Sequence, residues 1–173
     1  TFVTRYEHTP QTPIRIEMFA NHEDFSVRTA GLIGLDILGV SFGPVVALDS
    51  PSAGESGSIN WGSVVWHELA HSFHLSKSRH RAPRWFSEGL AVYEEHTARS
   101  GWGADVGPDF LQAHIEGKLP SPSKLNAAFL RPTYPRQVIH GYMQGSVFID
   151  FLVQEHGFGI INQLLDGFAV GGS

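Results

Sequence analysis

Residues 61–75, Trp-Gly-Ser-Val-Val-Trp-His-Glu-Leu-Ala-His-Ser-Phe-His-Leu, decide the fold of this chain. Apolar and functional residues recur there at three- and four-residue steps, which predicts a helix capped by Asn60. His67 and His71 then share one face of the helix, one turn apart. Two imidazoles so placed can bind one zinc ion, at ~2.0–2.1 Å from each nitrogen. Glu68, between them, can reach a water beside the metal rather than the metal itself.

A third metal ligand is predicted in the segment 85–91, Trp-Phe-Ser-Glu-Gly-Leu-Ala. Its Glu88 lies seventeen residues after His71, which is enough chain to end one helix, turn and begin another. The second helix is predicted over residues 84–96, packed against the first, and Gly89 has no side chain to keep the two apart. The alternative for Glu88 is an ordinary solvated carboxylate on a helix surface.

Two other histidines are alternative ligands. His74 shares the helical stripe of His71, but ligands on three successive turns of one straight helix cannot converge on one ion, so it is predicted as a neighbour of the site or a histidine at the edge of the core. His80 lies in the connecting loop and is the more flexible alternative. A metzincin pattern is excluded, because its glycine and its third histidine would fall at His74 and Lys77.

The composition of the chain limits which classes of protein and which kinds of metal site are possible. A chain of 173 residues, 42% of them hydrophobic and 17% charged, predicts one globular domain. The net charge of −5 without a basic stripe argues against nucleic acid as a partner, and no apolar run is long enough to span a bilayer. Because the chain has no cysteine, a metal site must use His, Asp or Glu. The absence of cysteine also permits, without requiring, an extracytoplasmic location.

The remaining segments predict a mixed arrangement of strands and helices. Residues 1–13 are interpreted as a polar leading segment, and residues 30–43, with four glycines, as a loop with weak strand character. Strands are predicted over residues 14–19 and 44–49, and further helices over residues 22–29, 110–116, 124–129, 138–156 and 160–168.

These motifs together resemble the gluzincin metallopeptidases, and most closely the peptidase MA-like domains of bacterial proteins. The likeness rests on His-Glu-x-x-His at 67–71, on Trp-x-x-Glu-Gly-Leu-Ala at 85–91 and on the segment from Tyr142 to Gly157, and it covers about residues 14–168. The Trp-x-x-Glu-Gly pattern is also shared, more distantly, by zinc aminopeptidases. The resemblance implies an α+β fold: a mostly helical zincin-like core with a small N-terminal β-sheet. Residues 1–173 would form one such domain, and because such domains usually continue further, the chain is expected to be a fragment.

The resemblance also implies an activity. It predicts a zinc-dependent metallopeptidase in which His67, His71 and Glu88 hold the metal and Glu68 is the general base for a metal-activated water. Its substrate would be a peptide or protein. One alternative is an inactive zinc-binding recognition module on the same fold, which the intact Glu68 argues against. Another is a zinc hydrolase that acts on a non-peptide substrate.

Two further roles are carried over from the family, and a third, that of Glu95, follows from its position seven residues after Glu88 on the same helical face. Its tyrosine or histidine that stabilises the oxyanion corresponds best to Tyr142, with His140 second and Tyr134 third, while an ordinary core tyrosine is the alternative for Tyr142. Glu95 is expected to hydrogen-bond a metal-binding histidine, unless it is a solvated charge. The strand 44–49 would be an edge strand that pairs with an extended substrate.

Overall fold

The computed structural model of the chain describes residues 1–30, 37–55 and 57–172. Helices form the larger share of these residues and three short strands form one sheet, which confirms the predicted mixed α+β class. Within the described ranges, no helix is both long enough and apolar enough to cross a membrane. The chain divides into two compact units, residues 1–77 and residues 78–173.

The first unit contains the sheet. Its strands are β1 (Arg15–Phe19), β2 (Gly39–Phe42) and β3 (Val45–Asp49). β3 lies in the middle, parallel to β1 and antiparallel to β2. The expectation that residues 44–49 form an edge strand for substrate is therefore wrong, because both sides of β3 are already hydrogen-bonded within the sheet. The loop predicted over 30–43 contains β2 instead at its end, and its residues 31–36 lie outside the described residues.

The two longer helices of the first unit are α2 (His22–Ala30) and α3 (Trp61–Lys77). Both begin after the asparagine that the sequence suggested as a cap. The Oδ1 atom of Asn21 accepts the backbone N–H of Asp24 at 2.8 Å, and Oδ1 of Asn60 accepts that of Ser63 at 3.3 Å. Each side chain satisfies a backbone donor that has no partner inside the helix, which fixes where the helix begins.

A short helix that the sequence did not predict precedes the sheet. α1 (Phe2–Tyr6) lies in the segment interpreted as polar, yet Phe2 and Tyr6 are both buried. The Phe2 ring stacks on Phe73 of α3 with the ring centroids 5.3 Å apart, and the Tyr6 ring lies 6.3 Å from the same side chain. Two aromatic residues, four apart on one face, therefore anchor α1 to the helix that carries the histidine pair.

Two helices of the first unit contact the sheet through polar side chains. Nη2 of Arg28 in α2 lies 3.2 Å from the Glu17 carboxylate of β1. The hydroxyl of Ser41 in β2 is hydrogen-bonded at 3.1 Å to that of Ser72 in α3. The strand predicted at 14–19 is confirmed, but two of its apolar residues, Ile16 and Met18, remain 47% and 49% exposed.

The second unit is helical in its described part. Its helices are α4 (Arg84–Ala98), α5 (Pro108–Ile115), α6 (Leu125–Leu130), α7 (Gln137–His156) and α8 (Gly159–Ala169), with a 3-10 turn at Pro122–Lys124. Each predicted helix of this region is confirmed to within three residues at either end. Gly157 ends α7 with a φ of 72°, a left-handed value that favours glycine.

The helices α4 and α7 approach each other through a pair of glycines. A Cβ atom at Gly89 would lie 2.7 Å from the Cα of Gly145, and one at Gly145 would lie 2.7 Å from the carbonyl oxygen of Trp85. No side chain fits in that space. The sequence assigned Gly89 to a close helix approach, but the neighbour that the structure shows is Gly145 of α7, which the sequence prediction did not name.

Candidate metal centre

The histidine pair lies on α3, and the Nε2 atoms of the two rings face each other. The Nε2 atoms of His67 and His71 are 3.1 Å apart, and the ring centroids are 4.8 Å apart. Two nitrogens bound to one tetrahedral zinc ion lie roughly 3.3 Å apart. The pair is therefore close to the spacing that joint binding of one ion requires, as the four-residue separation predicted.

Glu68 follows the first of these histidines on α3, and its side chain is buried against β2. A Cβ atom at Gly39 of β2 would lie 2.9 Å from the Cγ of Glu68 and 2.7 Å from a methyl carbon of Val64. Because Gly39 has no side chain, the backbone of β2 comes into contact with the stem of Glu68. No pattern in the sequence indicates that the strand and the glutamate meet.

Glu88 lies in the first half of α4 and is buried, which rules out the solvated carboxylate considered as its alternative. One of its oxygens, Oε1, lies 3.5 Å from Nε of Arg84, one helical turn earlier. A buried carboxylate is costly unless a positive charge accompanies it. Arg84 is itself more than half exposed, so water screens its attraction to Glu88, and a bound cation would stabilise this carboxylate further.

Within the described ranges, one group of His, Asp and Glu side chains could hold a metal ion. The ligand atoms of His67, His71 and Glu88 all lie within 4.8 Å of one another. Two imidazole nitrogens and one carboxylate oxygen are a donor set of catalytic zinc sites, which keep a fourth position for water or substrate. The set that the sequence predicted could therefore hold a metal ion, and its donor atoms are of the kinds that zinc binds.

The two alternative ligands are not members of that group. His74 is fully buried, and its Nε2 atom lies 3.1 Å from Nδ1 of His71, on the side of the ring opposite the atom that faces His67. This agrees with its prediction as a neighbour of the site. His80 is exposed and has a left-handed φ of 58°.

Two more carboxylates of α4 are buried. Glu95, expected to support a metal-binding histidine, is not the solvated charge that was its alternative, and its role stays a prediction. Glu94 is still less exposed, at 1%, and sequence reasoning did not single it out. Helical periodicity alone gives adjacent residues different faces, so it cannot indicate that both of them are enclosed.

The second candidate for the oxyanion donor, His140, is hydrogen-bonded to other side chains through both of its ring nitrogens. His140 of α7 places Nε2 at 3.1 Å from Oδ2 of Asp109 and Nδ1 at 3.1 Å from the hydroxyl of Tyr134. Since a carboxylate only accepts, Nε2 of His140 donates to Asp109, while Nδ1 and the Tyr134 hydroxyl are hydrogen-bonded to each other. Burial raises the pKa of the Tyr134 phenol, so this group keeps its proton at neutral pH. His140 and Tyr134, the second and third choices for the oxyanion donor, are thus both engaged in hydrogen bonds within this network.

Tyr142, the first choice for the oxyanion donor, lies two residues beyond His140 and is half-buried. Its ring meets that of Phe129 in α6 edge-on, with centroids 5.4 Å apart. This contact fixes the plane of the ring in the second unit. The catalytic role of the hydroxyl remains a prediction.

The carboxylate of Asp109 makes the stability of the second unit depend on pH in the acid range. The hydrogen bond from His140 holds the pKa of Asp109 below its ordinary value, and the nearby Arg136 guanidinium adds to this effect. A carboxyl group whose pKa is lower in the folded state than in the unfolded state stabilises the fold at pH values above its unfolded-state pKa of about 3.9. This contribution is lost as the pH falls through the folded-state pKa. We expect urea unfolding of the metal-free protein between about pH 5.5 and pH 2.5 to show a smaller loss of stability in Asp109→Asn than in wild type.

Arg136→Gln is the graded comparison for that experiment. It removes a cause that is smaller than the His140 hydrogen bond, so its acid dependence should fall between wild type and Asp109→Asn. Equal acid dependence in all three proteins would contradict the assignment to Asp109.

A second histidine–carboxylate pair lies in the first unit. Nδ1 of His22 is 2.6 Å from Oδ2 of Asp49, and Nε2 of His22 is 3.3 Å from the hydroxyl of Ser26. The order of groups is that of a serine hydrolase triad, but Ser26 has no exposed surface. A nucleophile must reach its substrate, so this arrangement carries no hydrolytic chemistry.

Comparison of the chain with protein-family models, with curated protein sequences and with solved structures returns no match. The functional assignment therefore depends on the residues of the site.

Proposed function

We propose that this chain is a zinc-dependent metallopeptidase of the gluzincin type, with a zincin-like core. The observation that carries the proposal is the grouping of His67, His71 and Glu88 within 4.8 Å. The buried Glu68 next to His67 supports it, because a carboxylate beside a metal is the usual proton acceptor in metal-assisted hydrolysis. The choice of a peptide as substrate rests on the resemblance of both motifs to that class of enzyme.

The roles of the residues follow from their chemistry. When bound, a zinc ion supplies Lewis-acid chemistry, by which it polarises a carbonyl group and acidifies a water. His67, His71 and Glu88 would hold that ion and leave one position open. Glu68 takes the proton from the attacking water and delivers it to the leaving amine nitrogen, so that one group acts first as base and then as acid.

The oxyanion that develops on the substrate carbonyl needs a further hydrogen-bond donor. We assign this role to Tyr142. His140, the second choice, has both ring nitrogens engaged by Asp109 and Tyr134, which favours Tyr142. A Tyr142→Phe variant keeps the ring that packs on Phe129 and removes only the hydroxyl.

Metal binding tests the ligand set directly. Protein stripped with a chelator and reloaded should take up about one zinc ion per chain. His71→Ala and Glu88→Ala should weaken zinc binding by more than the ~10–100-fold that the loss of an outer hydrogen-bond partner costs, because each removes a ligand. Zinc affinity is measured by competition with a chromogenic chelator. The matched control is Glu155→Gln, an exposed carboxylate near the end of α7, which should bind zinc as wild type does.

Each result of this experiment bears on one assignment. Full zinc affinity in Glu88→Ala would remove Glu88 from the ligand set. Failure of the wild-type protein to bind zinc would overturn the proposed metal centre altogether.

A further inference from the structure

We propose that His74 is a positioning residue for the metal ligand His71. The inference rests on the proposed metal centre and adds a residue to it. His74 lies one turn beyond His71 on α3, and the distance between its Nε2 and Nδ1 of His71 is 3.1 Å. The two rings are inclined by 69°, with centroids 5.0 Å apart. The contact is therefore a hydrogen bond between ring edges and not a stacking of ring faces.

The hydrogen bond determines which nitrogen of His71 is available to a metal. A neutral imidazole has one protonated nitrogen, which donates, and one bare nitrogen, which binds metal or accepts. The Nε2 atom of His71 faces Nε2 of His67, so metal binding there requires the proton on Nδ1. That Nδ1–H points at Nε2 of His74, which must accept it. His74 thus selects the tautomer of His71 that a zinc ion requires.

His74 can hold this position because its own ring is enclosed. It has no exposed surface, and the ring of Tyr6 in α1 lies 6.3 Å from it at an inclination of 49°. Just beyond α1, Nε2 of His8 is hydrogen-bonded at 2.9 Å to the hydroxyl of Ser76 in α3. α1 thereby covers His74, excludes bulk water from the His71–His74 hydrogen bond and restricts rotation of the His74 ring.

This arrangement also explains why His74 is not itself a ligand. Its Nε2 atom is used by Nδ1 of His71, on the side of that ring away from His67. In metal sites an outer partner of a ligating histidine is most often a carboxylate or a carbonyl group. Here an imidazole on the same helix supplies the acceptor, and it brings no negative charge into the interior.

The test compares two substitutions at one position by zinc affinity. His74→Phe keeps a flat ring and removes the acceptor, so we expect zinc affinity to fall by about 10–100-fold. His74→Gln places an amide oxygen near the former Nε2 position, so we expect it to recover most of that loss. Zinc affinity is measured by chelator competition, and thermal unfolding of the metal-free proteins is measured beside it.

Phe73→Leu is the packing control, because Phe73 packs on Tyr6 of α1, as His74 does, but makes no hydrogen bond to His71. It should lower thermal stability and leave zinc affinity unchanged. If His74→Phe bound zinc as tightly as wild type, the proposed role of His74 would be overturned while the metal centre would stand. If wild type bound no zinc, the metal centre itself would fall, so the two failures are distinguishable.

A measurement on the unmodified protein covers the case in which His74→Phe does not fold. In zinc-loaded protein with ¹⁵N-labelled histidine, NMR should show His71 protonated at Nδ1 and His74 unprotonated at Nε2. A proton on Nε2 of His74 in that state would contradict the proposal, because this atom could then no longer accept.

Discussion

Glu68→Gln is expected to abolish cleavage of a general protein substrate while zinc remains bound at wild-type affinity. The amide has the size of the carboxylate, but it cannot take a proton from water or deliver one to an amine. Loss of a general base costs typically 10²–10⁴-fold in rate, and a residue that serves as base and then acid should lie at the upper end. The buried position of Glu68 against the backbone of β2 leaves little freedom for a water to replace it.

The measurement is release of fluorescent fragments from a labelled protein, with metal content determined on the same samples. Glu155→Gln, an exposed substitution of the same kind, should keep full activity. Substantial cleavage by Glu68→Gln would place the proton acceptor elsewhere. A wild-type protein that binds zinc and cuts no peptide would favour the recognition module, and cleavage of esters alone would favour a different zinc hydrolase.

Gly145→Ala is expected to destabilise the protein by about 3 kcal/mol or more, at or above the upper end of the usual cost of overpacking. In a helix interior, glycine to alanine normally stabilises by up to ~1 kcal/mol, so the sign of the effect is diagnostic. Here the new methyl group would lie 2.7 Å from the carbonyl oxygen of Trp85, a backbone atom that no rotamer change can move. The whole of α4 or α7 would have to shift.

The matched control is Gly167→Ala in α8, where an added Cβ meets no atom within 4 Å. It should leave the free energy of unfolding unchanged or raise it. Both variants are compared by urea unfolding of the metal-free protein. Equal stability of Gly145→Ala and wild type would show that α4 and α7 can separate at little cost.

The secondary structure was largely predictable because its signals are local. Asn21 and Asn60 mark helix starts by a side-chain oxygen that satisfies a backbone donor within three residues. α1 was not predicted, because a five-residue helix is too short for periodicity and forms through its aromatic contacts with α3. β2 was missed for a similar reason: glycine and serine disfavour a strand, and pairing with β3 outweighs that preference.

The candidate site was predictable in its composition and not in its surroundings. The four-residue spacing of His67 and His71 is enough by itself to imply a shared helix face. No spacing indicates that Asp109 meets His140, since 31 residues separate them, or that β3 would be the central strand. Strand order and such long-range hydrogen bonds depend on how whole elements pack, which a local pattern does not encode.

Gly39 of β2, beside Glu68, shows that an intact motif is not enough to infer activity in a chain that carries these residues. A side chain at Gly39 would press on Val64 and on the stem of Glu68, so the proposed base could be displaced with His-Glu-x-x-His left intact. Inactivity can therefore arise from a position outside the motif, nearly thirty residues earlier in the chain. An intact glutamate is evidence of a working base only where the neighbouring strand also leaves room for it.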